Sequence, residues 1–206
     1  MTQFVNPKKI YPLREKRRNN TRAVLVKTCN KLLNENGYRN LTMQNVADVA
    51  GIHVQTLYKH FPTKFSLASS ASCEALRGLM RDRKTDTFAV WKSYVLEKAE
   101  EISSFEQGEF FLETVDSLSQ NEQLTQLQLA IGNEYIEILK LNIALDLSMD
   151  KEKDLMPKLI ANLIYTTNTH NTEAWIRSGG RFNLVESSQK MLSQTLKLIN
   201  SIQSSN

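Results

Sequence analysis

Cysteine, glycine and proline are scarce in this chain of 206 residues, and each shortage excludes a class of protein. The two cysteines, Cys29 and Cys73, lie far apart and form no metal-ligand spacing, which excludes a disulfide framework and a structural zinc site. With only seven glycines and four prolines, most of the chain lacks helix breakers, and apolar residues show no strand-like alternation. The sequence therefore predicts an all-α protein with two reduced cysteines and no bound metal.

Long apolar runs are also missing. The longest are broken by charges, as in IEILKLNIALDL, and none approaches the roughly 18 residues that a membrane-spanning helix needs. The charged N-terminus is not followed by the apolar segment of a signal peptide. Because 41% of the residues are hydrophobic and 23% are charged, the composition is that of an ordinary globular protein. We expect a cytoplasmic protein that binds no membrane.

Acidic residues are rare in the first part of the chain. Residues 1–64 carry 12 lysines and arginines against three acids, a balance of +9, whereas the remaining residues carry 14 against 19, a balance of −5. Two parts of opposite charge predict two functions, and the basic part indicates a polyanionic partner. On charge alone, a membrane surface and a nucleic acid are both open.

Turn residues divide this basic part into three short helices. The first is predicted to begin near Thr21 and to end at Gly37, a favourable C-terminal glycine. Thr42 is a good N-cap for the second helix, and Gly51 makes the turn to a third helix that Pro62 ends. A short helix joined to the next by a glycine turn is typical of a helix-turn-helix.

The third helix lies in the segment GIHVQTLYKHFPTK, which contains no acid. Since successive helical residues turn by about 100°, Leu57 and Phe61 point inward together. Gln55, Thr56 and Lys59 point the opposite way. Because the outward groups are hydrogen-bond donors or cations, the helix is predicted to enter a groove of double-stranded DNA, where phosphate contacts set affinity and base contacts set sequence preference.

Residues 21–67 resemble the DNA-binding domain of the TetR family of transcriptional regulators. The resemblance is carried by TRAVLVKTCNKLLNENGY, by LTMQNVADVAG and above all by TLYKHFPTK, whose order of residues is far more specific than a generic helix-turn-helix. The rest of the chain shares only the expected helix pattern. The resemblance implies a fold of an N-terminal three-helix DNA-binding domain followed by a helical ligand-binding and dimerisation domain.

The resemblance also implies roles for individual residues. Phosphate contacts are expected from Thr42, Tyr58, His60 and Lys64, and from the outward-pointing Lys59. The positions that face the major groove are Gln44, Val54, Gln55 and Thr56. His53 departs from the family, which commonly has a capping serine there, so either a neighbouring group satisfies the first amides of the helix or His53 itself reaches the DNA. The alternative for each residue is a packed or solvated side chain without a DNA contact.

The domains are predicted as a basic N-terminal arm over 1–20, the helix-turn-helix domain over 21–66 and the helical domain over 67–206. Arg14, Arg17 and Arg18 of the arm are candidates for minor-groove contacts. A solvated tail is the alternative interpretation of the arm.

Two further sites are predicted in the acidic part. Long helices over about 155–178 and 183–202 are expected to form a four-helix-bundle dimer interface, as in TetR-like proteins, with an apolar stripe at Leu184, Met191, Leu198 and Ile202. The alternative for this stripe is the core of a single chain. Aromatic and polar residues of the middle helices are candidates for a ligand pocket, although core packing is the alternative for each: Trp91, Tyr94, Phe111, Tyr135, His170 and Trp175.

These features favour one function over two others. We expect a homodimeric repressor that a small-molecule effector of unknown identity releases from a palindromic operator. The alternative is a DNA-binding adaptor or architectural protein that recruits a protein partner through its C-terminal domain and has no effector; a filled core without a cavity would favour it. The chain has no nucleophile elbow, metal cluster, glycine-rich phosphate loop or paired-carboxylate motif, so neither an enzyme nor a cofactor is expected.

Overall fold

The computed structural model describes residues 12–103 and 122–204, apart from the side chains of residues 39, 123, 124 and 202–204. These ranges contain helices and no strands, which confirms the all-α prediction for the described part of the chain. The chain divides into two compact units after Ala71, within the fourth helix. The described helices are α1 (Pro12–Asn40), α2 (Met43–Ala50), α3 (Val54–His60), α4 (Lys64–Arg81), α5 (Thr87–Ser103), α6 (Glu122–Asp146), α7 (Met156–Arg177) and α8 (Leu184–Ser204). The sequence also predicts a helix over about 107–119, and these residues lie outside the described part of the chain.

The first helix begins at Pro12 and not near Thr21, so the predicted start of this helix is wrong and residues 12–20 of the predicted arm are helical. Proline is favourable in a first helical turn, and the following residues up to Asn36 include no glycine or proline to end the helix. Gly37, with φ 70° and ψ 169°, interrupts the helical backbone as predicted.

The helix-turn-helix follows the predicted turn residues closely. The Thr42 side chain accepts a hydrogen bond from the Asn45 amide at 3.0 Å and so caps α2. Gly51 ends that helix in the left-handed conformation, with φ 65°. In α3 and the residue after it, Leu57 and Phe61 are both 0% exposed, which confirms the predicted inward face.

The second unit is a helical bundle in which α6 lies along α7, α7 packs on α8, and α5 packs on α8. Its core includes Trp91, Leu139, Ile164 and Leu192, all nearly inaccessible to solvent. The sequence also predicts a long helix over about 121–147 that is interrupted at Gly132; the interruption is wrong, since α6 continues through this residue. Glycine suits the position because a β carbon there would come within 2.9 Å of the Tyr165 hydroxyl oxygen.

Hydrogen bonds and an ion pair join the end of α6 to the start of α5. The Asp146 carboxylate accepts a hydrogen bond from the Thr87 amide at 2.7 Å and pairs with the Arg83 guanidinium at 2.6 Å. Arg83 also donates to the Asn142 side chain at 3.2 Å and to the Thr85 carbonyl at 2.9 Å. These contacts fix the separation of the two helix ends.

Candidate nucleic-acid interface and ligand pocket

The outward face of α3 carries most of the predicted groove contacts. Gln55 and Lys59 are exposed, Tyr58 is 49% exposed, and Val54 and Thr56 are half-buried. Because the opposite face of this short helix is held by Leu57 and the residue after it by Phe61, the outward side chains project from a supported backbone. The face carries no negative charge.

Two N-caps position the ends of the helix-turn-helix. Thr42 caps α2 with its hydroxyl oxygen, so its O–H remains able to donate to another acceptor. The imidazole of His53 caps α3, because its Nδ1 accepts a hydrogen bond from the Gln55 amide at 3.3 Å. This arrangement requires the neutral tautomer with its proton on Nε2, and that N–H can donate outward. The sequence predicted either a neighbouring group that satisfies the first amides of α3 or a DNA contact by His53. The structure shows instead that the His53 side chain itself caps the helix.

A second capping motif places Lys64 at the first position of α4. The Ser66 amide donates to the Thr63 hydroxyl oxygen at 3.1 Å, and the Thr63 amide donates to the Ser66 hydroxyl oxygen at 3.3 Å. The Lys64 ammonium lies 4.3 Å from the centroid of the Tyr38 ring, a cation–π contact that orients it. Burial lowers the pKa of the Lys64 ammonium. Sequence reasoning missed the role of Tyr38, although the Gly-Tyr pair at the end of the first helix marked it.

A basic cluster lies beside the end of α3. The Arg22 guanidinium carbon is 4.4 Å from the centroid of the Phe61 ring, and its Nη2 donates to the Ser70 hydroxyl at 3.2 Å. Burial, followed by the positive charges of Arg18 and Arg22, lowers the pKa of His60. In the free protein the neutral form of His60 is therefore favoured beside the two arginines. A phosphate bound nearby would offset the positive charge of the arginines. Sequence reasoning missed Arg22, whose helical spacing of four from Arg18 was the available signal.

Gln44 is exposed but is already engaged within its helix. Its side-chain amide donates to the Asp48 carboxylate at 2.7 Å. The carbonyl oxygen of the same side chain is left as an acceptor. A bidentate contact with adenine would require Gln44 to give up the bond with Asp48.

Arg14, Arg17 and Arg18 lie on the exposed first turns of α1 and not on an extended arm. A minor-groove arm is an irregular segment that follows the groove, and a rigid helix of this width does not do so. The prediction of minor-groove contacts from these residues assumed an extended arm, and their place on a helix removes that assumption. Residues 1–11 of the predicted arm lie outside the described part of the chain.

The predicted ligand pocket is mostly a packed core. Trp91, Tyr94 and Tyr135 meet in an aromatic cluster in which the two tyrosine hydroxyls are 2.8 Å apart, and the Tyr135 ring stacks on that of Tyr165. Burial raises the pKa of both Tyr94 and Tyr135. The core interpretation is therefore the right one for these three residues.

The other predicted pocket residues also lie elsewhere. Trp175 is buried in a separate cluster and donates to the Phe182 carbonyl at 2.9 Å, and His170 is exposed. Phe111 lies outside the described residues. In the described ranges, a cleft of about 520 Å³ instead opens between the start of α5, the end of α6, α7 and α8.

The predicted dimer stripe on α8 is divided between core and surface. Leu184 is 1% exposed and packs with Ala99, Trp175 and Ile176, so its side chain is not available to a partner and that part of the prediction is wrong. Met191 is half-buried against the main core, whereas Leu198 is 49% exposed. The side chain of Ile202 lies outside the description.

Three further observations concern the cysteines, possible metal ligands and possible membrane-spanning helices. Both cysteines are buried and free, and burial raises the pKa of the Cys29 and Cys73 thiols to about 12. Within the described ranges, no three histidine, cysteine, aspartate or glutamate side chains are grouped as metal ligands. No helix in those ranges combines the length and the apolar run that a bilayer crossing needs.

Comparison with solved structures finds similar helical regulators at low identity. The fatty acid degradation regulator FadR from Bacillus halodurans is 17% identical, with 84% of this chain and 97% of that chain covered and a TM-score of 0.49. FadR from Bacillus subtilis in complex with stearoyl-CoA is 16% identical, with 84% and 96% covered and a TM-score of 0.43. A tetR-family transcriptional regulator from Streptomyces coelicolor is 15% identical, with 91% and 84% covered and a TM-score of 0.44. At these values the similarities say nothing about the ligand or operator of this chain.

The N-terminal unit gives the specific match. No curated protein matches the chain. Residues 25–71 match the model of the bacterial regulatory proteins of the tetR family, a range that holds the caps of α2 and α3, the buried Leu57 and Phe61, and Lys64. Residues 25–71 of this chain therefore match the N-terminal DNA-binding domain of the tetR family of bacterial regulatory proteins.

Proposed function

We propose that the protein is a dimeric transcriptional repressor that a small-molecule effector releases from a palindromic operator. The observation that carries this proposal is the face of α3, where Gln55, Tyr58 and Lys59 project without any acid from a helix anchored by Leu57. Such a face fits an anion-lined groove, and basic residues beside it add sequence-independent affinity.

The DNA contacts proposed for individual residues follow from their positions. Gln55, Val54 and Thr56 face bases, together with the Nε2–H of His53 and, once it is released from Asp48, Gln44. The phosphate contacts come from groups at the margins of the helix-turn-helix: Thr42, Tyr58, Lys59, His60 and Lys64. Arg14, Arg17 and Arg18 extend this phosphate contact along α1.

The test is a selection of bound duplexes from a random pool. We expect the protein to enrich a two-fold symmetric site whose half-sites are about 10 base pairs apart or a multiple of that spacing. The Gln55→Glu variant, which places an acid on the outward face, should lose the enrichment, whereas Gln126→Glu on α6 makes the same charge change at an exposed position and should keep it. Absence of enrichment by the wild type would refute the proposal.

The dimer is proposed to form through the exposed faces of α7 and α8, where Leu198 is accessible. A palindromic site needs two copies, because each copy reads one half-site. Sedimentation equilibrium at micromolar concentration should give a dimer that Leu198→Glu weakens. Leu145→Glu is the matched control, since Leu145 is a 72% exposed leucine on α6. A wild-type monomer at that concentration would contradict the dimer.

The cleft in the second unit supports an effector over the adaptor alternative. A packed core without a cavity would have favoured recruitment of a protein partner, whereas a cleft of about 520 Å³ lies within the size range of small-molecule pockets, roughly 300–1,000 Å³. An effector can act only if it binds the DNA-free dimer more tightly than the DNA-bound one.

A further inference from the structure

We infer that the cleft between α5, α6, α7 and α8 binds a small amphipathic molecule with an apolar body and one anionic head. This inference rests on the proposed function, because it assigns a chemical class to the effector and a place to its site. The site is distinct from the aromatic cluster around Tyr135, which is closed and already filled by its own side chains.

The interior of the cleft is apolar. Its walls come from all four helices and include the half-buried Phe88 together with five buried aliphatic side chains: Ile143, Ile160, Ile164, Leu192 and Ile199. Water in such a space finds few hydrogen-bond partners, so displacement of water by an apolar group is favourable. The body of the ligand is therefore expected to be a hydrocarbon chain or ring system.

The carboxylates that line the cleft are already engaged by this chain. Asp146 is paired with Arg83 and accepts the Thr87 amide. Asp86 precedes α5 and accepts the Ala89 amide at 2.8 Å, at a helix end where a negative charge is stabilised. Both carboxylates already have partners within the chain, so neither requires a cationic group on the ligand.

Among the described residues, Lys92 is the charged lining group without an ion-pair partner. It is exposed, and no carboxylate among the described residues lies within ion-pair distance of its ammonium group. Gln189 and Ser193 of α8 line the same cleft and add uncharged hydrogen-bond donors. A carboxylate or sulfonate at this position would satisfy Lys92 while its apolar body fills the interior.

Calorimetry with three decyl compounds of different head group tests the assignment. Decanoate, decanol and decyltrimethylammonium are titrated below their micellar concentrations into the full chain without DNA. We expect decanoate to bind more tightly than decanol, and decyltrimethylammonium to bind least. Equal or tighter binding of the cationic compound would overturn the anionic head, and absence of binding by all three would overturn the site.

Variants of the cleft distinguish the contribution of the ligand's anionic head group from that of its apolar body. Lys92→Gln should weaken decanoate binding about tenfold and leave decanol unchanged, because one charge-assisted hydrogen bond is removed. Lys190→Gln is the matched control, since Lys190 is an exposed lysine outside the cleft. Ser193→Trp should block both compounds by filling the cleft from an exposed position, with retained circular dichroism showing that the bundle is folded.

The outcomes distinguish this inference from the proposed function. Decanoate binding that Lys92→Gln does not change, or that Ser193→Trp does not reduce, would overturn the inference even if the protein binds its operator. Lys92-dependent decanoate binding by a protein that enriches no duplex would support the site and refute the proposed repressor.

Discussion

Thr42 and His53 each begin a helix of the helix-turn-helix, and each caps that helix while retaining a hydrogen-bond donor. Thr42 accepts the Asn45 amide through its oxygen, and His53 accepts the Gln55 amide through Nδ1. The threonine cap follows from ordinary capping preferences. The histidine cap could not be predicted in this way, because histidine ranks low as a cap and only the backbone angles of His53, φ −60° and ψ 134°, bring its ring to the amide.

His60 should couple DNA binding to proton uptake. Burial and the charges of Arg18 and Arg22 lower the pKa of His60 in the free protein, and a phosphate beside it would raise that pKa again. Binding would then take up a proton, so duplex affinity should rise about three- to tenfold as the pH falls from 8 to 6. The measurement is fluorescence anisotropy with the selected duplex over this range.

The contribution of His60 is the difference between the wild type and His60→Gln. The variant should lose part of the pH dependence, whereas His170→Gln in the second unit should keep all of it. Parallel pH profiles for the wild type and His60→Gln would contradict a phosphate contact at this residue.

At the scale of elements, α1 is longer than its sequence pattern indicated. The apolar periodicity that marks the buried part of α1, with Leu25 and Cys29 fully inaccessible, is lacking in residues 12–20, where every side chain is exposed. Periodicity reports burial and not helicity, so a solvated helical extension leaves no such signal. Pro12 and the absence of later breakers were the only evidence for it.

The helical extension should contribute to the salt dependence of DNA binding. Replacing Arg14, Arg17 and Arg18 by glutamine keeps the helix and removes three cations, so the slope of log affinity against log salt should fall by about 0.9 for each phosphate that α1 no longer neutralises. The control is Lys27→Gln with Lys31→Gln, which removes exposed charges farther along α1. An unchanged slope in the arginine variant would show that α1 makes no phosphate contact.

Arg83 should stabilise the second unit through the end of α6. The two side chains of its ion pair with Asp146 are only 15% and 23% exposed. The pair is therefore more shielded from solvent than a surface ion pair and less shielded than a fully buried one. Arg83→Met should therefore lower the free energy of unfolding by about 1–2 kcal/mol near neutral pH. Arg81→Met, at an exposed neighbouring arginine, should have little effect in the same urea titration.

The effect of Arg83→Met should also depend on pH. Burial alone would raise the pKa of Asp146, but its hydrogen bonds with Thr87 and Arg83 outweigh burial, and the pKa is lowered. The stabilisation by ionised Asp146 is thus complete above its unfolded pKa of about 4 and is lost as the pH falls through the lower folded pKa. A difference between wild type and variant that stays constant below pH 4 would contradict this account.

The last two helices of the second unit could be predicted from the sequence, but it could not be predicted which residues of their apolar stripes are buried and which are exposed. Gly179 and Asn183 are residue types that favour helix ends and lie between α7 and α8, and the Asn183 side chain accepts the Glu186 amide at 3.1 Å. A stripe of apolar residues at helical spacing has the same appearance whether it packs inside the chain or against a second copy. Leu184 and Leu198 belong to one such stripe, yet only Leu198 is exposed.

Across the whole molecule, charge follows the division into two units. Residues 65–71 carry no charge, so the unit that ends at Ala71 keeps the balance of +9 and the other keeps −5. The sequence predicted this separation of functions because charge composition needs no tertiary information. The cleft could not be found in this way, since its lining comes from four helices that are distant in sequence.

The proposed repressor requires the two units to be coupled, and coupling of binding free energies is reciprocal. If decanoate lowers the affinity for the selected duplex by some factor, a saturating amount of that duplex must lower the affinity for decanoate by the same factor. Anisotropy gives the first factor and calorimetry gives the second. Lys92→Gln should move the decanoate response to higher concentration while leaving duplex affinity without decanoate unchanged, because Lys92 lies in the cleft and not in the DNA-binding unit. If both ligands bind and both factors equal one, the cleft and the helix-turn-helix act independently. Release by an effector of this class would then be refuted.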